Sequence, residues 1–322
     1  MSVLRAGIVG CGAIAPKHVE AIRATPGLEL VAACDIIPER AEALGVWAFT
    51  NYRAMLDRAS LDLVSVCTPN YLHWDMATAV VRAGADVVVE KPVSLCVPDV
   101  REQSLARHIF PVLQVRENRA VKALMTAIPH LGRIYSCALE QRWKRDGAYY
   151  TSATWRASIG KSGGSLFTQG IHYVDVMLQA LGPVREVSAR MATLNHAVEV
   201  EDELAACFEF ESGAIGTYSF SLNTEDENMT RLEVNGANGT IGLDGGALNS
   251  VAWWDVKGVP YPDISPEAAN AYGGAYQGSP ANHTAIYRQA ADHILCGVPI
   301  THTLESALPA IDFIVKAYQG RA

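Results

Sequence analysis

The chain has 322 residues, of which 49% are apolar and 19% are charged. This length exceeds what one hydrophobic core usually supports, so we expect two domains. The net charge of −8 argues against general nucleic-acid binding, which needs a basic surface to contact phosphates. The seven cysteines are scattered without a close pair, and no apolar run is long enough to span a membrane. We therefore predict a cytoplasmic protein with free thiols, no metal site, and no nucleic-acid or membrane partner.

The first half of the sequence alternates short apolar runs with helical patterns. The apolar runs predict buried strands at 3–9, 28–34, 63–67, 87–89 and 111–115. The helical patterns cover 16–24 and 71–82. This alternation is typical of a doubly wound parallel sheet, in which ligands bind at the carboxyl ends of the strands. Four unusual residues are predicted to share this edge of the sheet: Gly10, Asp35, Thr68 and Lys91.

The second half predicts an α+β domain with an open, mainly antiparallel sheet. Apolar residues alternate over 203–210 and 214–222, which predicts a hairpin with one buried face. Further strands are predicted at 134–142, 184–193, 231–234, 240–243 and 251–254. Such a sheet must bury its apolar face on helices or on another subunit, so we expect a homodimer or homotetramer formed through it.

We place the domain boundary near Asn118. The dinucleotide-binding domain is then 1–118, and the substrate-binding and oligomerisation domain is 119–322. Residues 256–282 are rich in Gly, Pro, Ser and Tyr and predict a long loop, which either covers the site or is a surface excursion. His283 follows this loop, and one hypothesis is that it lies on the last long helix and approaches the pocket from there.

The segment from Gly10 to Ala15 has the spacing GxGxxA between a predicted strand and a predicted helix. Gly10 permits a tight turn, Gly12 lets the backbone approach a pyrophosphate, and the helix N-terminus faces the phosphate. Asp35 ends the next strand, where a carboxylate accepts hydrogen bonds from an adenosine ribose. No basic residue adjoins Asp35, which favours NAD over NADP, although Arg40 is near enough to reach a 2′-phosphate. The alternative is an ordinary turn followed by a surface aspartate.

Lys91 is the first candidate for proton transfer. It lies in Glu90-Lys91-Pro92 at the end of a predicted buried strand, and lysines are rarely buried without a task. A neutral lysine can take the hydroxyl proton of an alcohol if burial and a nearby cation lower its pKa. The alternative is a surface lysine.

His172 is the second candidate, on a predicted helix that follows Gly163-Gly164 and continues to Leu181. Thr168 and Asp175 are expected on the same helix face as His172, at spacings of four and three residues. These neighbours can orient His172, either as a proton carrier or as a hydrogen-bond donor to a substrate hydroxyl. In isolation, an ordinary packed histidine would be the better interpretation.

Together these motifs resemble the Gfo/Idh/MocA family of oxidoreductases over nearly the whole chain. The matching segments are GCGAIA at 10–15, AACD ending at 35, TPNYLH at 68–73, EKP at 90–92, QVREN at 114–118 and GGSLFTQGIHYVD at 163–175. The resemblance implies an N-terminal Rossmann domain and a C-terminal domain whose open sheet supports the substrate pocket and the oligomer contacts. The residues implied to bind the cofactor are Gly10, Gly12, Ala13, Ile14, Asp35, Thr68, Pro69, Asn70, His73, Glu90 and Lys91. Lys91 and His172 are implied to face the substrate.

One position departs from the family pattern. The family commonly has an aspartate four residues before the histidine, where this chain has Thr168. Some relatives that act on nucleotide-linked sugars also lack the aspartate and carry a Gln-Gly-Ile-His-like stretch, which here begins at Gln169. This favours a nucleotide-linked sugar as substrate, with Thr168 and Gln169 near it.

Trp155-Arg156 resembles a Trp-Arg element of sugar-oxidising relatives. Trp155 is expected to stack on a sugar ring, and Arg156 or Lys161 to hold a phosphate or carboxylate. The alternative is ordinary packing with a solvated charge.

The leading hypothesis is therefore an NAD-dependent dehydrogenase or reductase that acts on a secondary alcohol or ketone of a sugar, cyclitol or nucleotide-linked sugar. One alternative is a glycoside hydrolase or lyase that retains NAD and recycles the hydride within each turnover. Another is a non-catalytic NAD-binding regulator on the same fold, against which Lys91 and His172 argue because a sensor needs no proton carrier.

Overall fold

The protein is described by a computed structural model that covers residues 3–98, 103–225, 228–264 and 282–320. The chain divides into two compact units. The first comprises Met1–Gln114 and Ala281–Leu308, and the second comprises Val115–Pro280 and Pro309–Ala322. A single domain boundary near Asn118 remains a prediction. In the described part of the chain, no helix is both long enough and apolar enough to cross a bilayer.

The described residues contain thirteen strands and eleven α-helices. The strands are β1 Leu4–Val9, β2 Leu28–Cys34, β3 Trp47–Phe49, β4 Leu63–Val66, β5 Asp86–Val89, β6 Ile109–Pro111, β7 Ile134–Arg142, β8 Val184–Ala192, β9 Glu203–Phe210, β10 Ile215–Ser221, β11 Met229–Gly236, β12 Gly239–Asp244 and β13 Ser250–Val256. The helices are α1 Ala15–Arg23, α2 Pro38–Glu42, α3 Tyr52–Ala59, α4 His73–Arg82, α5 Gln103–Ala106, α6 Arg119–Ala127, α7 Gly147–Thr151, α8 Ile159–Ser162, α9 Ile171–Leu181, α10 His283–Cys296 and α11 Leu304–Gln319.

The first unit is built on a parallel sheet whose described strands are ordered β3-β2-β1-β4-β5-β6. Strand β4 is buried at every position, as expected for a parallel strand with both faces covered. The strand order reverses between β1 and β4, which creates a switch point at the carboxyl ends of these strands. The predicted doubly wound parallel sheet is therefore confirmed.

Two details of the first half of the chain differ from the prediction. Strand β6 covers Ile109–Pro111 rather than 111–115, and Gln114–Glu117 forms a 3-10 turn. The backbone N–H of Val112 still donates to the carbonyl oxygen of Val89 at 2.9 Å, but Leu113 and Val115 are fully buried beyond the described ladder, so their apolar character reflects burial and not strand pairing. The helix predicted from Tyr71 begins with a 3-10 turn at Asn70–Leu72, and α4 follows it.

Helix α10 completes the hydrophobic core of the first unit although it comes late in the chain. Its residues Ile286, Tyr287, Ala290 and Ala291 belong to the same buried cluster as Ile8 of β1 and residues of α1. Helix α11, and not α10, is the last long helix.

The second unit is built on a sheet whose described strands are ordered β13-β12-β11-β7-β10-β9-β8. Neighbouring strands are antiparallel except β7 and β10, which are parallel. Alternate residues of β9 are buried, so one face of the sheet carries the core. The mainly antiparallel sheet is therefore confirmed, including the predicted hairpin of β9 and β10. Most of the loop predicted for 256–282 lies outside the described residues.

Candidate functional site

The glycine loop lies at the carboxyl end of β1, beside the end of β4. Gly10 has φ +89°, and a Cβ there would lie 2.7 Å from the carbonyl oxygen of Cys67. A side chain is therefore excluded by backbone conformation and by space. A Cβ on Gly12 would meet nothing within 4 Å in the described chain. The open space at Gly12 fits a ligand that approaches the backbone closely, as a pyrophosphate does.

Helix α1 begins directly after this loop. Its N-cap residue is Ile14, whose side chain offers no capping hydrogen bond, and Pro16 lies in its first turn. The amides at such a helix end are suited to an anion. The loop and the helix terminus are therefore suited to a diphosphate group, and cofactor binding by Gly10, Gly12, Ala13 and Ile14 remains a prediction.

Asp35 fixes the glycine loop, a task that the sequence did not predict. Its Oδ2 accepts a hydrogen bond of 2.7 Å from the backbone N–H of Cys11, and its Oδ1 accepts one of 2.9 Å from Ile37. Asp35 is only 8% exposed. A carboxylate has about four acceptor positions, so both oxygens can still bind ribose hydroxyls.

We predict that Asp35→Asn weakens NAD binding about tenfold or more and improves NADP binding. The dissociation constant of NADP divided by that of NAD is therefore expected to fall. Asparagine keeps one acceptor for the loop but removes the charge that repels a 2′-phosphate. Calorimetric titration with both dinucleotides measures the ratio. Asp62→Asn is the matched control, because Asp62 accepts the backbone N–H of Arg5 at 2.8 Å before β4, away from this loop. An unchanged ratio would show that Asp35 does not bind the ribose.

His73 joins two of the sequence motifs. Its Nδ1 lies 2.7 Å from the carbonyl oxygen of Pro92 and its Nε2 lies 2.7 Å from that of Thr68. Burial lowers the pKa of His73, although the two carbonyl groups oppose this. Asn70 is also buried. His73 therefore braces the segments that carry the predicted cofactor residues, and its own contact with the cofactor, like those of Thr68, Pro69 and Asn70, remains a prediction.

Lys91 lies just beyond β5, at the same edge of the sheet as Gly10 and Asp35. It is half-buried, and its backbone N–H donates a 3.2 Å hydrogen bond to Oε2 of Glu90. On its other side, Pro92 is bound to His73. The backbone of Lys91 is therefore held from both sides.

Glu90 is buried with two histidines that were not predicted to contact it. His18 Nε2 lies 2.9 Å from Oε1 of Glu90, and His283 Nε2 lies 3.5 Å from the same oxygen. Burial alone would raise the pKa of Glu90, but the hydrogen bond from His18 and the proximity of His283 hold that pKa well below its usual range. His18 lies on the buried face of α1, and this position was the only sequence signal for it.

The buried histidine His283 leads us to predict that stability falls in acid. Burial lowers the pKa of His283, so the unfolded chain takes up a proton below about pH 6.5 that the folded chain does not. The depressed pKa of Glu90 adds a second loss below about pH 4.3, as the unfolded carboxylate is protonated first. Each unit of depression corresponds to about 1.4 kcal/mol.

Urea unfolding of the wild type and His283→Gln at several values between pH 8 and pH 4 tests this prediction. The free energy of unfolding of the variant is expected to fall less steeply between pH 7 and pH 5. Some decline should remain, because the pKa of His73 is lowered in the same direction. Parallel curves for the two proteins would contradict the assignment to His283.

In the second unit, a π-helical segment over Leu166–Gly170 precedes α9. Gly164, just before it, has φ +106°, and a Cβ there would overlap the hydroxyl of Tyr318. Buried Glu201 accepts hydrogen bonds from the N–H of Leu166 and from Tyr318. The glycines before the helix therefore allow it to begin against Glu201 and Tyr318. Single π-turns of this kind occur frequently at functional sites.

His172 is the second residue of α9 and is 9% exposed. The expected regular α-helical spacing from Thr168 to His172 is wrong, because Thr168 lies in the π-helical segment, where its hydroxyl donates to Ser165 O. Asp175 is buried in a two-pronged ion pair with Arg116, with distances of 2.7 and 2.5 Å. Arg116 belongs to the QVREN segment, so this pair joins two motifs whose connection the sequence did not show.

Arginine and aromatic side chains gather beside Gln169. Its Oε1 accepts hydrogen bonds from Arg145, and its Nε2 lies 2.5 Å from the hydroxyl of Tyr149. The guanidinium groups of Arg145 and Arg156 lie 5.2 and 4.7 Å from the centre of the Tyr149 ring. The predicted Trp155 is half-buried, and the centre of its ring lies 5.7 Å from the guanidinium carbon of Arg156. Arg145 and Tyr149 were missed because no motif marks them.

Lys161 was the other candidate for an anionic group. It is exposed in α8. Arg156, rather than Lys161, therefore belongs to the cluster around Tyr149.

Comparison with known proteins identifies the family of the chain. Residues 4–107 match an oxidoreductase family with an NAD-binding Rossmann fold, and residues 119–242 match the GFO/IDH/MocA C-terminal domain. The chain is 30% identical over 267 residues to D-glucoside 3-dehydrogenase of Escherichia coli, covering 72% of this chain and 74% of that protein. It is 26% identical over 263 residues to D-apiose dehydrogenase of Paraburkholderia graminis, covering 74% and 67%.

A solved structure shows the same likeness over nearly the full length. The WlbA dehydrogenase of Bordetella pertussis, in complex with NADH and UDP-GlcNAcA, superimposes with a TM-score of 0.87 and 28% identity. The match covers 99% of this chain and 96% of that one. The resemblance drawn from the sequence motifs is confirmed: the protein belongs to the Gfo/Idh/MocA family of oxidoreductases, with an NAD-binding Rossmann domain and the C-terminal domain of that family.

Proposed function

We propose that this protein is an NAD-dependent dehydrogenase or reductase for a secondary alcohol or ketone of a sugar-like substrate, with Lys91 and His172 handling the proton. The observation that carries the proposal is the turn at Glu90-Lys91-Pro92. It places a half-buried lysine at the sheet edge that also holds Gly10 and Asp35. A dinucleotide-binding edge with a lysine of fixed backbone is the arrangement that alcohol oxidation needs.

The first unit supplies the groups that would hold NAD. The amides of the glycine loop and of the α1 terminus suit the diphosphate, and the Asp35 carboxylate suits the adenosine ribose. Ile36 is 88% exposed directly after Asp35 and offers an apolar contact for the adenine. When bound, NAD supplies the acceptor or donor of hydride. The carboxylate at Asp35 favours NAD over NADP.

Lys91 is proposed to accept the hydroxyl proton during oxidation and to return it during reduction. Its backbone N–H is bound to Glu90, and the carbonyl oxygen of the following Pro92 is bound to His73, so the position of the Lys91 backbone is fixed.

His172 is proposed to donate a hydrogen bond to the reacting oxygen, or to exchange a proton with it. It is buried at the start of α9, where the π-helical segment and the Arg116–Asp175 pair support the helix. A hydrogen-bond donor fixed in this way acts on a developing alkoxide without reorganising.

We propose an anionic, nucleotide-linked sugar as the substrate class. Two guanidinium groups converge on the Tyr149 ring, and guanidinium is well suited to phosphate and carboxylate. Gln169 and Trp155 adjoin these groups and would contact the sugar. The likeness to a dehydrogenase crystallised with UDP-GlcNAcA supports the same class. Thr168, in place of the usual aspartate, leaves the site with one anion fewer.

Homo-oligomerisation through the sheet of the second unit is also part of the proposal. Strand β10 leaves Ile215 and Thr217 exposed on the face opposite the core, and Ala205 and Cys207 of β9 are exposed beside them. Covering this face in a dimer or tetramer would remove their apolar surface from water. We propose a cytoplasmic location from the scattered cysteines.

A screen for NADH absorbance tests the proposed function. Purified protein with NAD is offered inositols, free sugars, sugar phosphates and nucleotide sugars, and reduction with NADH is run on the corresponding ketones. A net absorbance change with nucleotide sugars is the expected result. If calorimetry shows that NAD binds but no substrate class changes the NADH absorbance, the proposal is contradicted. A hydride-recycling hydrolase or lyase, or a regulator, is then favoured.

A further inference from the structure

Three buried polar side chains of the first unit meet directly behind Lys91. They are His18 of α1, Glu90 after β5, and His283 at the start of α10. One ring nitrogen of each histidine and one carboxylate oxygen of Glu90 all lie within 4.8 Å of one another. Both imidazoles approach the same carboxylate oxygen, Oε1 of Glu90. The other oxygen, Oε2, accepts the backbone N–H of Lys91.

A chain of hydrogen bonds supports His18 from behind. The Nδ1 atom of His18 lies 2.7 Å from the hydroxyl of Tyr287, which lies 2.5 Å from the hydroxyl of Ser65 on β4. A carboxylate can only accept, so Nε2 of His18 must carry the hydrogen that faces Glu90. With neutral His18, Tyr287 then donates to Nδ1 and Ser65 donates to Tyr287. Each of the groups in this row of hydrogen bonds, from Glu90 through His18 and Tyr287 to Ser65, then has a partner of the right kind, as a buried polar network requires.

A divalent metal is the competing explanation for the cluster. Zinc with ligand bonds of about 2.0–2.1 Å in a tetrahedral site would hold its donor atoms roughly 3.3 Å apart. His18 Nε2 and Glu90 Oε1 are instead 2.9 Å apart, which is the length of a direct hydrogen bond. Lys17 lies close enough to interact with Glu90 and to lower the pKa of His283, and an ammonium group there disfavours a second cation. The geometry therefore favours hydrogen bonding over metal binding.

We propose that His18, with Tyr287 behind it and His283 beside it, is a positioning residue that orients the Glu90 carboxylate and thereby holds Lys91 in place for proton transfer. The inference rests on the proposed function of Lys91. Without the donor at His18, Oε1 of Glu90 loses its shortest hydrogen bond in a buried site. Glu90 is then expected to bind a proton or to turn, and its bond to the Lys91 N–H weakens.

The test uses two replacements of His18 in the full chain. His18→Leu removes the donor, whereas His18→Gln keeps an N–H near the position of Nε2. Turnover is expected to fall roughly 10- to 100-fold in His18→Leu with little change in KM, and to recover most of this loss in His18→Gln. His283→Leu should have a smaller effect, because its contact is longer. Equal losses in both His18 variants would overturn the proposal, since they would reflect packing alone.

His108 provides a matched control at the opposite end of β5. Its Nδ1 lies 2.8 Å from Asp86, the first residue of β5, so it is also a histidine–carboxylate pair of the first unit. His108→Leu is expected to leave turnover unchanged. A loss similar to that of His18→Leu would show that any such pair matters, and would overturn a specific role for His18.

A measurement without substrate separates this inference from the proposed function. In ¹⁵N NMR of the wild type, His18 is expected as the Nε2–H tautomer, and the Lys91 amide is expected to shift in His18→Leu but not in His18→Gln. The result supports the inference even if no substrate turns over. An Nδ1–H tautomer, or an unmoved Lys91 amide in His18→Leu, would overturn it. Stoichiometric binding of Zn²⁺ that His18→Leu abolishes would also overturn it, in favour of a metal site.

Discussion

Replacement of Lys91 by alanine is expected to lower turnover by roughly 10²–10⁴-fold while NAD affinity stays unchanged. The loss is the usual contribution of a general acid–base group. Alanine keeps the backbone N–H that Glu90 accepts and the following Pro92 that His73 binds. The variant therefore removes the amine without removing the contacts that shape the turn. Steady-state kinetics and calorimetry measure the two quantities separately.

Lys91→Arg sharpens this test. Arginine keeps the positive charge but cannot be deprotonated in proteins, so it should be as slow as alanine if Lys91 carries the proton. Lys122→Ala serves as a control, because Lys122 is exposed in an ion pair with Glu117. Full activity in Lys91→Ala, or recovery of activity in Lys91→Arg, would show that Lys91 does not carry the proton.

Replacement of His172 by asparagine is expected to lower turnover by at least about 10²-fold. Asparagine can still donate a hydrogen bond but cannot exchange a proton near neutral pH. A loss of this size with unchanged NAD affinity would mark His172 as a proton carrier. A loss below about tenfold would limit it to hydrogen bonding. His130→Asn is the control, since His130 is an exposed histidine of the same unit.

The double variant Lys91→Ala, His172→Asn asks whether the two residues act together. Groups that serve one proton transfer give strongly non-additive losses, so the double variant should be little slower than the slower single variant. Losses that multiply would contradict a shared step and indicate two separate roles.

The sequence predicted those features that depend on neighbours along the chain. Period-two and apolar patterns located most strands. Gly10 and Gly12 identified the loop, because a tight turn against Cys67 and an open backbone both favour glycine at those positions. The same reasoning misplaced β6, because Leu113 and Val115 are buried beyond the paired residues of the strand. Apolarity reports burial, and pairing depends on a partner that local sequence does not reveal.

The long-range contacts of the site could not be predicted in this way. His18 and Tyr287 are 269 residues apart, and Arg116 and Asp175 are 59 apart. No local pattern connects such pairs. The π-helical segment at Leu166–Gly170 was also missed, because its residues suit an ordinary helix equally well and its extra residue per turn has no compositional signal.

The return of helix α10 to the first unit limits how this protein can be divided. A fragment that ends at Asn118 would lack Ile286 and Tyr287, and would expose to water the apolar face of α1 that they cover. It would also lose His283. Neither unit is therefore one continuous stretch of the sequence. A chimera that exchanges substrate specificity must keep Ala281–Leu308 with the parent that supplies the cofactor-binding part, and take both Val115–Pro280 and Pro309–Ala322 from the other parent.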